Sequence, residues 1–277
     1  MTIKQFVQLA ILEDIKEGDH SALACIPKSS YGKAQLLIKE KGILAGVDIA
    51  EQIFKEFDSS FEFTKLINDG QKVNKGDTAF TIHGPSITLL SAERLVLNVM
   101  QRMSAIATLT NKYVKALEGL NTKVLDTRKT TPLIRFLEKE AVKIGGGVNH
   151  RYGLFDMIML KDNHNDFAGG IENSINKTIQ YLRENNLNLK IEVETRNIEE
   201  VKKVLKVGNI DRIMLDNFNY KDMRKAVKLI NNQYETEASG GINLETVRKY
   251  AECGVDFVSV GALTHSVSNM DLSLKAI

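Results

Sequence analysis

The sequence contains no tryptophan, only three prolines and only two cysteines among its 277 residues. Because Cys25 and Cys253 are far apart, they predict neither a disulfide framework nor a metal-binding knuckle, and they favour a reducing compartment, the cytoplasm. No apolar run approaches the roughly 20 residues that a membrane-spanning helix needs, so no membrane association is predicted. Gln8, Glu13 and Asp14 interrupt the N-terminal apolar stretch, and no signal peptide is expected there.

An excess of charge of either sign is also missing. The 37 basic and 35 acidic side chains leave a formal net charge of +2, which predicts no nucleic-acid partner from bulk charge. With 43% hydrophobic and 26% charged residues, the composition excludes intrinsic disorder and is typical of a globular protein. The length suffices for one large or two modest domains.

The first 120 residues predict a small α/β unit followed by a long helix. Alternating runs at residues 34–38 and 78–82 indicate short strands between glycine turns. After Pro85, apolar residues recur at spacings of three and four, which predicts a helix with one buried face. This apolar stripe consists of Leu89, Ala92, Val96, Val99, Met103, Ile106, Thr110, Tyr113 and Leu117. A separate polar stripe on the same helix is interpreted as a solvated face and consists of Arg94, Asn98, Gln101 and Arg102.

After residue 120, strand-like runs alternate with helical segments. The runs are residues 123–125, 157–160, 189–193, 212–215, 234–238 and 255–260. This alternation predicts βαβ units and a parallel sheet, either doubly wound or closed toward a barrel. A barrel is favoured because charged residues, serine and glycine follow the runs, as at a barrel mouth. These residues are Asp126, Lys161, Glu192 or Glu194, Asp216, Ser239 and Gly261. No GxGxxG motif follows an early strand, which weakens a dinucleotide-binding fold.

Five cationic or titratable side chains follow these runs: Arg128, Lys129, His150, Arg151 and Lys161. Pro132 is expected to open a helix with Thr130 or Thr131 as its cap, and this helix start would add backbone donors to an anion site at Arg128 and Lys129. A capped helix with solvated charges is the alternative interpretation. The whole group favours an anion site, because like charges converge in a folded protein mainly when an anion is bound.

Acidic and small residues form two further groups. Glu192 and Asp216 suit magnesium beside an anionic substrate, although structural acids paired with lysines remain an alternative. Small residues after the last two runs favour a phosphate site on backbone amides, and tight turns are the alternative. They include Ser239, Gly240, Gly241, Ser259 and Gly261.

Seven ordered segments resemble the quinolinate phosphoribosyltransferase family, also called nicotinate-nucleotide pyrophosphorylases. The segments are ERLVLNVMQRMS (93–104), DTRKTTP (126–132), GGGVNHR (145–151), KDNH (161–164), LDN (215–217), SGGI (239–242) and VGALTHS (260–266). Residues 13–19 and 271–274 also match in order, so the resemblance spans nearly the whole chain.

The resemblance implies an enzyme that combines quinolinate with phosphoribosyl pyrophosphate, using magnesium, on the de novo route to NAD. The products are nicotinate mononucleotide, pyrophosphate and carbon dioxide. By similarity, the quinolinate carboxylates and the pyrophosphate are surrounded by Arg102, Arg128, Lys129, His150, Arg151 and Lys161. Glu192 and Asp216 are implied for magnesium and ribose. The 5'-phosphate is implied to bind Thr127, Ser239, Gly240, Gly241, Ser259 and Gly261.

The family architecture is an N-terminal α/β sandwich domain joined to an open, TIM-like α/β barrel with fewer than eight strands. Applied to this chain, it implies a sandwich at residues 1–105, with the tail 267–277 packing back on it, and a barrel at residues 106–266. It also implies a homodimer in which Arg102 reaches across from the partner.

The sequence departs from the family pattern at three positions. Leu133 and Ala105 stand where glycine is usual, and Glu140 stands where tyrosine is usual. None of these changes removes a charged site residue, so altered loop or interface packing is expected rather than lost activity. Two other functions remain open from the sequence: a pyrophosphorylase-like homologue acting on another acceptor, and a non-catalytic sensor of phosphoribosyl ligands.

Overall fold

The computed structural model describes residues 1–277, which form two compact units. The first unit contains Met1–Asn111, Thr130–Gly146 and Leu263–Ile277, and the second contains Lys112–Lys129 and Gly147–Ala262. Residues 130–146 thus group with the first unit, although they fall inside the segment 106–266 that the family pattern assigns to the barrel.

The chain forms eleven helices and twelve strands. Up to residue 146 they are α1 Ile3–Asp14, α2 His20–Cys25, β1 Tyr31–Ile38, β2 Gly42–Ile43, α3 Val47–Phe57, β3 Glu62–Lys65, β4 Lys72–Val73, β5 Thr78–Pro85, α4 Ser86–Ala116, β6 Lys123–Leu125 and α5 Arg135–Ile144. The remainder are β7 Ile158–Leu160, α6 Asp162–Phe167, α7 Ile171–Glu184, β8 Ile191–Thr195, α8 Ile198–Val207, β9 Arg212–Asp216, α9 Tyr220–Ile230, β10 Glu235–Ser239, α10 Val247–Ala251, β11 Phe257–Ser259, α11 Ala262–His265 and β12 Leu272–Ala276.

The first unit is built on an antiparallel sheet in the order β12-β1-β5-β3. The two predicted strands at residues 34–38 and 78–82 are confirmed as the centre of this sheet. Apolar residues of α3 share one helical face, and Phe54 on that face packs against Phe80 of β5 with ring centroids 6.2 Å apart. Both rings are fully buried, so they form part of the core of this unit.

The long helix predicted after Pro85 is confirmed as α4, which has 31 residues. All nine residues of its predicted apolar stripe are buried. On the polar stripe, Arg94 and Asn98 are exposed, whereas Gln101 and Arg102 are half-buried. No helix of the protein, α4 included, has the length and apolar character that spanning a membrane requires.

The helix predicted to open at Pro132 begins later, at Arg135, and its N-cap is Ile134 without a side-chain cap. The reason lies at Leu133, whose φ of 68° is in the left-handed region and so interrupts a right-handed helix. The predicted cap by Thr130 or Thr131 is therefore wrong.

The second unit is a parallel α/β unit, as predicted. Its six strands follow the order β6-β11-β10-β9-β8-β7, and every neighbouring pair is parallel. Because β6 and β7 remain at the two edges, the sheet is open rather than closed into a barrel. All five residues of β8 are buried, which is typical of a parallel strand covered on both faces.

Candidate active site

The carboxyl ends of the parallel strands gather several of the predicted site residues. Lys161 directly follows β7, Asp216 ends β9, Ser239 ends β10 and Ser259 ends β11. The register places Ser239 directly opposite Asp216 on the neighbouring strand. Because parallel strands end at the same edge of a sheet, residues far apart in the sequence meet there.

The segment that follows the three glycines runs beside β6. The backbone N–H of Val148 donates to the carbonyl of Val124 at 2.8 Å, and that of Asp126 donates to the carbonyl of Val148 at 3.2 Å. The buried carboxylate of Asp126 then accepts a hydrogen bond from the backbone N–H of His150 at 2.8 Å. These bonds fix His150 and Arg151 next to the carboxyl end of β6.

Two half-buried guanidinium groups, Arg128 and Arg151, repel each other at this end of the sheet. Burial, and then the positive charge of Arg128, hold the pKa of Arg151 below its ordinary value. The Nε atom of Arg128 is buried without a hydrogen-bond partner. A buried donor without an acceptor and two neighbouring like charges are unfavourable unless an anion joins them. This pair therefore favours an anionic ligand.

His150 belongs to a buried cluster of charged groups. Its Nε2 lies 2.8 Å from Oε2 of Glu192 and 3.3 Å from Oε2 of Glu237, and all three side chains are almost fully buried. Nη1 of Arg212 lies 3.1 Å from the same Glu237 oxygen. Burial lowers the pKa of His150, but the hydrogen bonds and charges of Glu192 and Glu237 outweigh burial and raise it to about 9.

The same cluster changes the pKa of its two carboxyl groups. Burial and the charge of Glu237 raise the pKa of Glu192 to about 7. For Glu237, burial acts upward, but His150 and Arg212 outweigh it and lower the pKa. Ligand atoms of His150, Glu192 and Glu237 lie within 4.8 Å of one another, a donor set that suits a metal ion. Arg212 already supplies positive charge there, so the cluster is also balanced without a metal ion.

The carboxylates of Glu194 and Asp216 interact electrostatically. Burial raises the pKa of Glu194, Lys161 lowers it, and the charge of Asp216 raises it. Nζ of Lys161 lies 3.7 Å from Oε2 of Glu194. Thus Glu192 lies with His150, whereas Glu194, two residues later on the same face of β8, lies toward Asp216.

The predicted phosphate segment has a backbone that only glycine adopts readily. Gly240 and Gly241 have φ values of 96° and 61°. A Cβ atom on Gly240 would lie 2.2 Å from the side-chain oxygen of Asn217, whereas one on Gly241 would meet nothing within 4 Å. Gly241 therefore leaves open space beside its backbone, which suits the close approach of a ligand.

The other predicted phosphate residues are less open. The Ser259 hydroxyl donates to the carbonyl of Ala238 at 3.4 Å. Thr127 Oγ1 accepts a hydrogen bond from the backbone N–H of Lys129 at 3.1 Å. The Lys129 side chain is exposed, and Gly261 is half-buried just before α11.

Arg102 lies in the first unit, and all the other predicted site residues lie in the second. Two nitrogens of its guanidinium, Nε and Nη2, donate to Oε1 of the buried Glu138 at 3.0 and 2.8 Å. Sequence reasoning did not single out Glu138, because nothing in its spacing distinguishes a buried acid from a solvated one. Glu237 was also missed, although it lies in the strand-like run 234–238 that the sequence predicted.

Two models of one family together match most of the chain. The model described as "Quinolinate phosphoribosyl transferase, N-terminal domain" matches residues 19–104, and the model of the C-terminal domain matches residues 106–275. Among curated proteins, the chain is 46% identical to a mitochondrial quinolinate phosphoribosyltransferase of Nicotiana glauca, over 99% of this chain and 82% of that protein. It is 39% identical to a probable nicotinate-nucleotide pyrophosphorylase of Bacillus subtilis, over 99% and 93% of the two chains.

Solved structures agree with these matches. The NadC structure from Streptococcus pyogenes has a TM-score of 0.92 and 36% identity, over 99% of this chain and 97% of that one. The nicotinate-nucleotide pyrophosphorylase of Francisella tularensis has a TM-score of 0.92 and 37% identity, over 99% and 96%. Since sequence and fold agree along the whole length, the chain belongs to the quinolinate phosphoribosyltransferase family.

Proposed function

We propose that the chain transfers the phosphoribosyl group of phosphoribosyl pyrophosphate to quinolinate with decarboxylation. The products are nicotinate mononucleotide, pyrophosphate and carbon dioxide, in de novo NAD biosynthesis. Curated relatives over almost the whole chain have names that describe this activity. The observation that carries the proposal is the pair of half-buried cations Arg128 and Arg151, because quinolinate brings two adjacent carboxylates to such a pair.

The reaction needs charge stabilisation more than a protein nucleophile. The pyridine nitrogen of quinolinate attacks the ribose carbon, and the bond to pyrophosphate breaks with its electron pair going to the leaving oxygen. Positive charge develops on the sugar and negative charge on the leaving group, so carboxylates near the first and cations near the second lower the barrier. The carboxylate next to the ring nitrogen then leaves as carbon dioxide, and its bonding electron pair stays on the ring carbon as a carbanion that the cationic nitrogen stabilises. A proton from solvent then converts this carbanion into the ring C–H of the product. Arg128, Lys129, His150, Arg151 and Lys161 position and neutralise the anions.

Magnesium fits the carboxylates at the ends of β8 and β9. Burial and the charge of Asp216 raise the pKa of Glu194, and a cation between such groups would relieve that repulsion. Oxygen ligands of this kind are those that magnesium prefers. We propose Glu194 and Asp216 as its ligands, with the predicted residue Glu192 acting behind them through His150. Magnesium, when bound, supplies positive charge to the pyrophosphate.

For the 5'-phosphate we propose the loop after β10, with contributions from Thr127, Ser259 and Gly261. The open backbone at Gly241 supports the proposal, because amide N–H groups without a nearby Cβ bind phosphate closely. The Ser239 hydroxyl supplies a further donor at the end of β10.

The proposed assembly is a homodimer in which Arg102 is contributed across the interface, as the family resemblance implies. The proposed compartment is the cytoplasm, which the free thiols of Cys25 and Cys253 support. Relatives named mitochondrial or chloroplastic act elsewhere, so the compartment is a separate proposal from the activity.

The direct test supplies purified protein with quinolinate, phosphoribosyl pyrophosphate and magnesium, and measures nicotinate mononucleotide and released carbon dioxide. We expect both products in equal amounts, and omission of magnesium should abolish them. Turnover of a different acceptor in place of quinolinate would favour the homologue with another substrate. Calorimetric binding without any pyrophosphate release would favour the sensor.

A further inference from the structure

A carboxylate of the first unit, Glu138 on α5, is wholly buried and uses both of its oxygens. Oε1 accepts hydrogen bonds from Nε and Nη2 of Arg102 at 3.0 and 2.8 Å. Oε2 accepts a hydrogen bond from the backbone N–H of Thr131 at 3.1 Å. Because a buried carboxylate is unfavourable without such partners, the three donors and the charge of Arg102 together account for its presence.

The bonds of Glu138 fix one edge of the Arg102 guanidinium. Nη2 also donates to the carbonyl of Thr264, so Nε and Nη2 are both engaged within the chain. No hydrogen bond of the remaining nitrogen, Nη1, is present, and 22% of the side chain is exposed. Arg102 also lines a cavity of about 330 Å³ in the first unit, beside Arg94 and Asn98 from the two preceding turns of α4. The held edge therefore leaves the Nη1 edge of the guanidinium available to another acceptor.

The other oxygen of Glu138, Oε2, fixes the backbone just after Arg128 and Lys129 in the segment DTRKTTP (126–132). Thr131 comes two residues after Lys129, and its backbone N–H is held by Glu138. Nε of Arg135, on the first turn of α5, donates to the Thr130 hydroxyl at 2.8 Å. Side chains of α5 thus hold residues 130 and 131 at the exact point where the DTRKTTP segment turns toward the helix. Helix α5 therefore restrains both Arg102 and residues 130 and 131.

We propose that Glu138 is a positioning residue for quinolinate, acting through the guanidinium of Arg102 and through the backbone of Thr131. The inference rests on the proposed function, in which Arg102, Arg128 and Lys129 receive the quinolinate carboxylates. Glu138 itself is buried and touches no substrate, so its contribution is to orient groups before the substrate arrives. If the ion pair only stabilised the fold, its removal would not affect quinolinate more than phosphoribosyl pyrophosphate.

The test compares Glu138→Gln with the wild-type enzyme in steady-state kinetics. Glutamine keeps the size of the side chain but removes the charge and turns one oxygen into a donor that opposes either Arg102 or Thr131. We expect the KM for quinolinate to rise about tenfold or more, the size expected when a charge-assisted hydrogen bond is lost. The KM for phosphoribosyl pyrophosphate should stay within about twofold.

Glu140→Gln is the matched control, because Glu140 lies on the same helix, is half-exposed and pairs only with Lys143 across one turn. Its kinetics should equal those of the wild type. Glu138→Asp keeps the charge but shortens the side chain, and it should retain more quinolinate affinity than Glu138→Gln. If Glu138→Gln does not fold, Glu138→Asp carries the same comparison, and failure of both variants to fold would overturn the inference in favour of a structural role.

A double-mutant cycle with Arg102→Ala separates positioning from folding. If Glu138 acts in part through Arg102, Glu138→Gln should weaken quinolinate binding, measured by calorimetry, by a smaller factor once Arg102 is alanine than it does with Arg102 intact. Equal losses in both backgrounds, or a lower kcat with both KM values unchanged, would overturn the inference. Wild-type enzyme without activity would overturn the proposed function itself, whereas active wild type with normal Glu138→Gln would overturn only the role of Glu138.

Discussion

Leu133 has a backbone conformation that suits glycine better than leucine. Its φ of 68° lies in the left-handed region, and 71% of its surface is exposed, so packing does not compensate for the strain. We expect Leu133→Gly to raise the free energy of unfolding by up to about 1 kcal/mol, since glycine adopts this conformation without a Cβ clash. Urea unfolding followed by circular dichroism measures the change.

Leu133→Ala is the control for this substitution. It removes most of the exposed side chain but keeps the Cβ, so the strain remains and no gain is expected. An equal gain in both variants would show that the exposed leucine, and not the backbone, is responsible. The resemblance identified glycine as usual at this position, and the left-handed φ supplies the physical reason for that preference.

At the residue scale, the sequence predicted which charged side chains belong to the site but not which of them contact one another. A spacing of two residues along a strand predicts that Glu192 and Glu194 share one face. It does not show that Glu192 lies deep against His150 and that Glu194 lies toward Asp216. That division depends on depth along the strand and on Arg212 of β9 and Glu237 of β10. Such contacts arise from sheet register, which a local pattern does not contain.

The edge strand β12 allows a test of what closes the sheet of the first unit. Its Leu274 is buried opposite Leu36 of β1, whereas the next residue, Lys275, is exposed. Leu274→Ala should lower the free energy of unfolding by about 2–4 kcal/mol, because it leaves a cavity in the core.

Lys275→Ala is the control on the same strand, and it should change stability by no more than about 0.5 kcal/mol. Both variants are measured by urea unfolding under identical conditions. Similar stabilities for the two variants would contradict a core position for β12.

Elements with long or repeated patterns were predicted well from the sequence. The six parallel strands and α4 are confirmed, and the ends of the strands differ from prediction by no more than two residues. Helix α5 was placed too early, since the proline signal was overridden by the left-handed residue after it. Its position in the first unit was also not predicted, because that grouping depends on tertiary contacts such as Glu138 with Arg102.

At the scale of the whole molecule, the proposed dimer predicts complementation between inactive variants. Arg102→Ala and Arg128→Ala should each be inactive alone. If Arg102 serves the partner's site, a mixed dimer carries one site with both changes and one intact site. Random co-assembly should then restore about one quarter of wild-type activity, measured on co-expressed subunits with two affinity tags.

Arg128→Ala mixed with Arg151→Ala is the control, because both residues belong to the second unit and no intact site can form. That mixture should stay inactive. An inactive Arg102→Ala and Arg128→Ala mixture, with mixed dimers demonstrated, would contradict a contribution of Arg102 across the interface.

The pairing of the last strand with the first gives the protein a particular order of assembly during synthesis. β1 ends at Ile38, but its neighbour β12 begins only at Leu272, so the ribosome must make nearly all of the chain before this sheet is complete. The last of the six parallel strands, β11, ends at Ser259, so all strands of the parallel sheet have been made before β12. Until β12 has been made, one side of β1 therefore has unpaired backbone groups, and unpaired strand edges are prone to aggregation.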